Sequence, residues 1–239
     1  MTRQEVVPER LAGATAVVID VFMATTTLLT ILENGARRVY PVASLEEADE
    51  VRETLDAASV LRGGEQDAAR IEGYDHGPFP EEYAPEVVRE KDVIFVTTNG
   101  TRAIADTVSA DRVLLGNFRN ARAVARHLQA SGTDSIYLVC AGSAGRFTVE
   151  DFLGAATILS YMDVDGWRLN DGAWAALDFA ERHRDDVSGV LKQARAGRWF
   201  VENDRMDAFD FVADVGASTV VPEVVEGELR HAGSQGGTG

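Results

Sequence analysis

The chain has 239 residues, 45% of them hydrophobic and 26% charged, with a formal net charge of −16. That apolar content over that length excludes a disordered chain, a collagen and a disulfide scaffold, and suits one large domain or two small ones. With 23 basic against 39 acidic residues, neither nucleic acid nor an anionic membrane surface is an expected partner, because both need Lys and Arg to neutralise phosphate. No run of 18 apolar residues occurs, and Met1-Thr2-Arg3-Gln4-Glu5 lacks the basic-then-apolar order of a secretory signal, so a cytoplasmic protein is expected.

In chain order, the first apolar run, residues 16–19, reads as a buried strand that ends in Asp20, with Ala24-Thr25-Thr26-Thr27 opening a helix. Residues 38–42 form a second strand candidate. A helix follows with Ser44 as N-cap and Glu47 three residues on, a capping box, and with Leu45, Ala48, Val51 and Leu55 at helical spacing. Residues 59–62 read as a strand, and 62–83, rich in Gly and Pro, as a long loop of the functional or mobile kind. Strands at 93–96 and 112–115 follow, then a helix over 120–130, a strand over 136–140 and a helix from Thr148. Continuous rather than alternating hydrophobicity marks strands covered on both faces. Strand and helix alternate, so the expected fold class is α/β, a layered α/β/α sheet structure, read as one unit over 1–232 with potential related halves at about 1–115 and 116–232. Residues 233–239 read as a flexible Gly-rich tail. The single cysteine, Cys140, is expected to be a buried structural thiol.

Three strands end in small or polar turns that open helices: after 19, at Thr97-Thr98-Asn99-Gly100-Thr101, and at Ala141-Gly142-Ser143-Ala144-Gly145. In open α/β sheets ligands bind beyond the carboxyl ends of strands, and such turns suit an anion. Simple helix capping is the competing reading of the same hydroxyls. Asp20 suits a metal ligand, a phosphoryl acceptor or a cap. Glu65 and Asp75, flanked by glycines, are either presented acids or solvated loop acids. Glu150 and Asp151 open a helix, where the macrodipole alone favours acids. The four histidines are scattered, which speaks against zinc, and an ion held by oxygen ligands, Mg²⁺, is the metal expected. No nucleotide-binding glycine motif occurs.

The run Val17-Val18-Ile19-Asp20-Val21-Phe22-Met23-Ala24-Thr25-Thr26-Thr27 resembles the opening motif of the 2-phosphosulfolactate phosphatases. Gly64-Glu65, Gly73-Tyr74-Asp75-x-Gly77, Thr97-Thr98-Asn99-Gly100-Thr101-Arg102-Ala103, and Cys140-Ala141-Gly142 followed by Glu150-Asp151 continue the similarity in order, to Val220-Val221-Pro222. The resemblance implies hydrolysis of the phosphate ester of sulfolactate, with Mg²⁺, on the route to coenzyme M. It implies a small anionic phosphoester as partner; a homo-oligomer stays open. On this likeness Asp20, Glu65, Asp75 and Asn99 are the expected catalytic residues. Thr25, Thr26, Thr97, Thr98, Gly100, Thr101, Arg102, Gly142 and Ser143 are expected at the substrate. Asp20, Glu150 and Asp151 are expected at the metal. Three departures stand out. Met23 and Gln66 occupy positions where the family usually carries arginine, and Pro78-Phe79-Pro80 replaces an Asn-Ser-Pro. Arg62, Arg70 or Arg102 would then supply the missing charge. The alternative is a decayed paralogue that binds an anionic metabolite or serves as an interaction protein.

Lysine occurs only at Lys91 and Lys192. An acidic, lysine-poor surface is what adaptation to molar salt produces, since dense carboxylates repel weakly once the Debye length falls to about 3 Å. The expectation is a halophilic, haloarchaeal chain, with an ordinary acidic protein as the alternative. A halophilic chain should melt at rising temperature as KCl goes from millimolar to molar; a flat or falling curve contradicts it.

Overall fold

The structure, a computed structural model, describes residues 1–233. All but the first residue of the expected tail therefore lie outside the described residues. Nine strands form one sheet: β1 Thr15–Ile19, β2 Arg38–Val42, β3 Val60–Gln66, β4 Ala69–Arg70, β5 Asp92–Val96, β6 Arg112–Gly116, β7 Ile136–Cys140, β8 Pro222–Val225 and β9 Glu228–His231. The helices are α1 Ala24–Glu33, α2 Leu45–Glu53, α3 Pro85–Val88, α4 Gly100–Asp106, α5 Ala121–Ala130, α6 Val149–Ser160, α7 Asp171–His183, α8 Val187–Gln193, α9 Arg195–Glu202 and α10 Met206–Ala213. No described helix is long and apolar enough to cross a membrane.

The spatial order is β4-β3-β5-β2-β9-β8-β6-β1-β7. Two all-parallel trios result, β3-β5-β2 and β6-β1-β7, each built around a fully buried central strand. The β8–β9 hairpin lies between them and pairs antiparallel with β2 on one side and β6 on the other. The two trios therefore run in opposite senses. Twist of about 20–25° per strand accumulates to more than a right angle over five strand steps, the separation of β5 from β1. Opposite strand senses are thus compatible with carboxyl-terminal turns that meet.

Side chains along β1 alternate between the two helical layers. Val17 and Ile19 join α5, α6 and α8–α10 in one core, and Val18 joins α1 and α4 in another with Val93 and Phe95 of β5. A third cluster seats Ala48 of α2 on Ile94 and Val96. This is the layered α/β/α arrangement expected. Cys140 is buried, and burial pushes its thiol up to about 12, which keeps it inert.

The capping box forms in a shifted way: Ser44 Oγ accepts from Glu47 N at 3.2 Å, and Glu47 reaches the Ala43 amide at 2.7 Å rather than that of Ser44. The span 62–83 differs from the loop expected. Its first five residues continue β3, a tight hairpin adds β4, and His76 runs beside Gly63. Two glycines account for the difference. A Cβ at Gly63 would lie 1.8 Å from the Tyr83 hydroxyl, and one at Gly64, where φ is +122°, would lie 1.8 Å from the Val96 carbonyl oxygen. Their absence of side chain marks close strand packing, not looseness.

At the amino-terminal end of β5, Asp92 is fully buried and takes bidentate hydrogen bonds of 2.6–3.0 Å from both Arg37 and Arg38. Burial alone would raise its carboxyl, but the two guanidiniums bring it down to about 2. The ionised pairing stabilises the fold fully above the ordinary value of 3.8 and is lost as pH falls through 2. Asp92→Asn should cost about 2 kcal/mol in urea unfolding at pH 7 and should flatten the acid limb of the stability curve.

Candidate active site

The site grows from two turns built on one plan. After β1, the Asp20 amide donates to Thr25 Oγ1 (3.2 Å) and that hydroxyl returns a bond to the Asp20 carbonyl (2.8 Å). After β5, the Thr97 amide donates to Thr101 Oγ1 (3.0 Å) and that hydroxyl donates to the Thr97 carbonyl (2.9 Å). A carboxylate from the neighbouring strand, or from the helix after it, then secures the next residue. Asp151 Oδ1 accepts from Val21 N at 2.9 Å, and Glu65 Oε1 accepts from Thr98 N at 2.7 Å. Asp20 and Thr97, Val21 and Thr98, Thr25 and Thr101, Asp151 and Glu65 thus hold equivalent places in the two trios.

Two contacts tie the β5 turn to its neighbours. Asn99 Oδ1 accepts from the Ala144 amide (3.2 Å), linking the β5–α4 and β7–α6 connections. Gly100, the first residue of α4, sits directly on Asp20: a Cβ there would come within 2.6 Å of Asp20 Oδ2 and 2.3 Å of Ala24 Cβ. Glycine is what allows the close approach.

Four carboxylates share this place. Asp20 is 7% exposed, Asp151 2% and Glu150 5%. Burial raises the Asp20 carboxyl well above its usual range, and the charges of Asp151, Glu65 and Glu150 raise it further against one opposing bond, from the Ala24 amide (3.3 Å). Asp151 is also raised by burial, but three donors oppose the shift: Val21 N, Gly142 N at 2.9 Å and Thr148 Oγ1 at 2.8 Å. Three bonds accepted on two oxygens suit an ionised carboxylate. The donors therefore oppose the rise more strongly at Asp151 than the single amide does at Asp20. Glu150 is raised by burial, and Arg195 at the start of α9 eases its ionisation.

The remaining expected residues fall into three groups. The hydroxyls of Thr25, Thr26, Thr97 and Thr101 are buried and bond to backbone within the turns; Thr26 donates to Val21 O at 2.9 Å. Thr98 Oγ1 donates to Glu65 and accepts from the Asp67 amide. Asn99 Nδ2 and Ser143 Oγ have no partner among the described residues, and the exposed guanidinium of Arg102 makes no ion pair with one. Asp75 is not brought to the cluster. It lies exposed beside β3, where its carboxylate accepts from the Arg62 amide at 2.8 Å. Arg62 and Arg70 are occupied at the same edge, Arg62 by Gly73 O, Asp49 and the Tyr74 ring, Arg70 by the Asp75 carbonyl.

Met23 and Phe79 face the C-terminal helices. Both pack on the core that includes Phe200 and Phe209, and Phe79 stacks on Trp199 at 6.1 Å. Phe22 meets Phe200 at 4.9 Å. Two cavities of about 400 and 350 Å³ lie along the outer edge of β7, by Met1, Tyr137 and Asn170, apart from the acid cluster. Among the described residues no three His, Cys, Asp or Glu side chains are placed to hold an ion together.

The family model described as 2-phosphosulpholactate phosphatase matches residues 1–227, and the chain belongs to that family. A protein of Caldanaerobacter subterraneus subsp. tengcongensis is 35% identical over 215 residues, covering 90% of this chain and 89% of the relative. One of Symbiobacterium thermophilum is 37% identical over 223 residues, covering 92% and 95%. One of Thermotoga maritima is 34% identical over 213 residues, covering 89% and 90%. All three are named probable 2-phosphosulfolactate phosphatases.

Because the folded chain holds a proton on Asp20 that the unfolded chain releases, Asp20 favours folding below about pH 4 and this contribution is lost as pH rises through its elevated value. Asp20→Asn removes the penalty of charging that carboxyl. The variant should melt at or above the wild-type temperature at pH 8 while losing at least about 100-fold in turnover, a strained-site trade of stability for activity. A variant with near-normal turnover contradicts the assignment.

Proposed function

We propose that the chain is a phosphatase that hydrolyses 2-phosphosulfolactate or a related small phospho-acid with Mg²⁺ as cofactor. The observation that carries this reading is Asp20, buried at the meeting of the two turns and in the field of three further carboxylates. Membership of the family over residues 1–227 supports the same chemistry.

The donor set suits magnesium. All candidate ligands are oxygens, and Mg²⁺ characteristically takes one or two carboxylates and keeps several waters, so a three-acid cage is not needed. Asp20 and Glu150 would hold it, because Asp151 and Glu65 have both oxygens committed to turn donors. The bound ion would supply positive charge to polarise a phosphoryl oxygen.

The chain's own residues do the rest. Asp20 would either ligate the ion or, as a carboxylate, attack phosphorus while the ester P–O bond breaks and the alcohol oxygen leaves, the resulting acyl phosphate being hydrolysed by water. Asp151 fixes the height of the β1 turn through Val21 and Gly142, and Glu65 does so for the β5 turn through Thr98. Asn99 Nδ2 and Ser143 Oγ are the uncommitted donors for phosphate oxygens. Oriented donors of this kind act on developing charge without reorganising.

Phosphate release from 2-phosphosulfolactate and other small phosphoesters, with and without Mg²⁺ in molar KCl, tests the reading. Release should require Mg²⁺ and be lost with EDTA. Acid quenching during turnover should trap phosphorus on the protein if Asp20 is the nucleophile. No release from any ester, with sulfolactate still bound, replaces the enzyme with a binding protein.

A further inference from the structure

The sheet ends differently on its two sides. On one side the last strand is β4, two exposed residues, Ala69 and Arg70. A short, charged edge of that kind gives another strand little to pair with. On the other side it ends in β7, whose residues Ile136 to Cys140 include no charge, proline or glycine. Thr15 N donates to the Ser135 carbonyl and Ala141 N to the Ile19 carbonyl, so the odd-numbered residues bond to β1 and Ile136, Leu138 and Cys140 face outward. Met1 closes only the carboxyl half of this edge: its ammonium donates to the Leu138 carbonyl (3.0 Å), and Cys140 N donates to the Met1 carbonyl (2.9 Å). The N–H and C=O of Ile136 and the N–H of Leu138 have no partner among the described residues.

An apolar groove lies beside these groups. The cavity of about 350 Å³ is lined by Ile136 and Leu138 of β7, by Phe152 and Leu159 of α6, and by Met162 and Trp167 of the segment that leads to α7. Trp174, in the first turn of α7 next to the lining residue Ala173, is 65% exposed. The groove also carries one acid and one base, Asp134 and Arg168, both exposed and neither in an ion pair with a described residue.

These features are self-complementary. Ile136 offers a donor and an acceptor together, which an antiparallel strand satisfies by exchanging both bonds between directly opposite residues. A second β7, related by a two-fold axis at Ile136, does this with the same residue of the other copy. The same axis sets groove against groove, apolar on apolar, and gives the acid and the base of each a counter-charge on the other. Residues 234–239, Ser-Gln-Gly-Gly-Thr-Gly, bring no large apolar side chain to fill the groove instead.

We propose that the β7 edge is a dimer interface, in which two copies of this chain pair antiparallel around Ile136, join their nine-stranded sheets into one and cover Trp174 at the seam. The proposal is independent of the phosphatase reading. Copies that each carry −16 repel at low ionic strength, so the dimer tightens as salt rises.

Sedimentation velocity at micromolar concentration in molar KCl should find wild type at twice the chain mass of 25.8 kDa. Hydrogen exchange read by NMR above and below the dissociation constant locates the contact. The Ile136 and Leu138 amides should exchange at least about 10-fold more slowly in the dimer, and those of Ala69 and Arg70 should not change. Ile136→Pro removes the outward N–H without touching the β1 ladder, as an edge strand permits, and should be monomeric. Trp174→Glu decides the matter if the proline variant does not fold: at an unchanged melting temperature it should weaken the dimer at least about 10-fold. Arg168→Asp should weaken it too, and adding Asp134→Arg should restore it. A monomeric wild type in molar KCl overturns the proposal, including one that captures a strand of another protein. So does a dimer in which the Ile136 and Leu138 amides exchange as in the monomer, a dimer of full strength in Trp174→Glu, or a charge swap that does not restore association.

Discussion

Both oxygens of Asp151 are given over to the polypeptide: one to the amide after β1, the other to the amide after β7 and to the hydroxyl that begins α6. A carboxylate 2% exposed is tolerable only when hydrogen-bonded, and these three donors meet that condition. They also consume its capacity to bind anything else. Burial raises the Asp20 carboxyl, and the Asp151 charge beside it adds to the rise. The elevated proton affinity of Asp20 thus follows in part from how a different acid is employed in holding the fold.

The same device appears in the other trio, where Glu65 secures the turn after β5. The two turns differ at one place: Asp20 in one stands where Thr97 stands in the other. One trio carries the buried acid Asp20; the other contributes a scaffold of hydroxyls, Gly100 at contact distance and Asn99 as a link. The equivalent pieces are interleaved in sequence, since β1 and β6 enclose β2, β3 and β5.

The sequence made the strand cores legible. Residues 38–42 and 136–140 coincide with β2 and β7, and the helix over 120–130 differs from α5 by its cap alone, because long apolar runs and caps are local signals. The Gly63-Gly64 pair misled, because glycine in a strand and glycine in a loop look alike until Tyr83 and Val96 are seen against them. Site composition was legible in part. Asp20, Glu65, Asn99, Gly100, Glu150 and Asp151 do gather in one place, whereas Asp75 is at the sheet edge. The division of labour among the acids was not legible, since it depends on which amides point where.

The β8–β9 hairpin is the seam of the sheet, and its residues are synthesised after every other strand. Each trio can assemble from earlier segments, but their union in the sheet awaits the arrival of residues 222–231. Non-local pairings of this kind form slowly, because loop closure must precede the contacts that reward it. Until then β2 and β6 each present an open edge, the sort of surface that invites wrong partners in a nascent chain. An acidic chain carrying −16 has a remedy written into it, because copies emerging side by side repel one another while those edges wait.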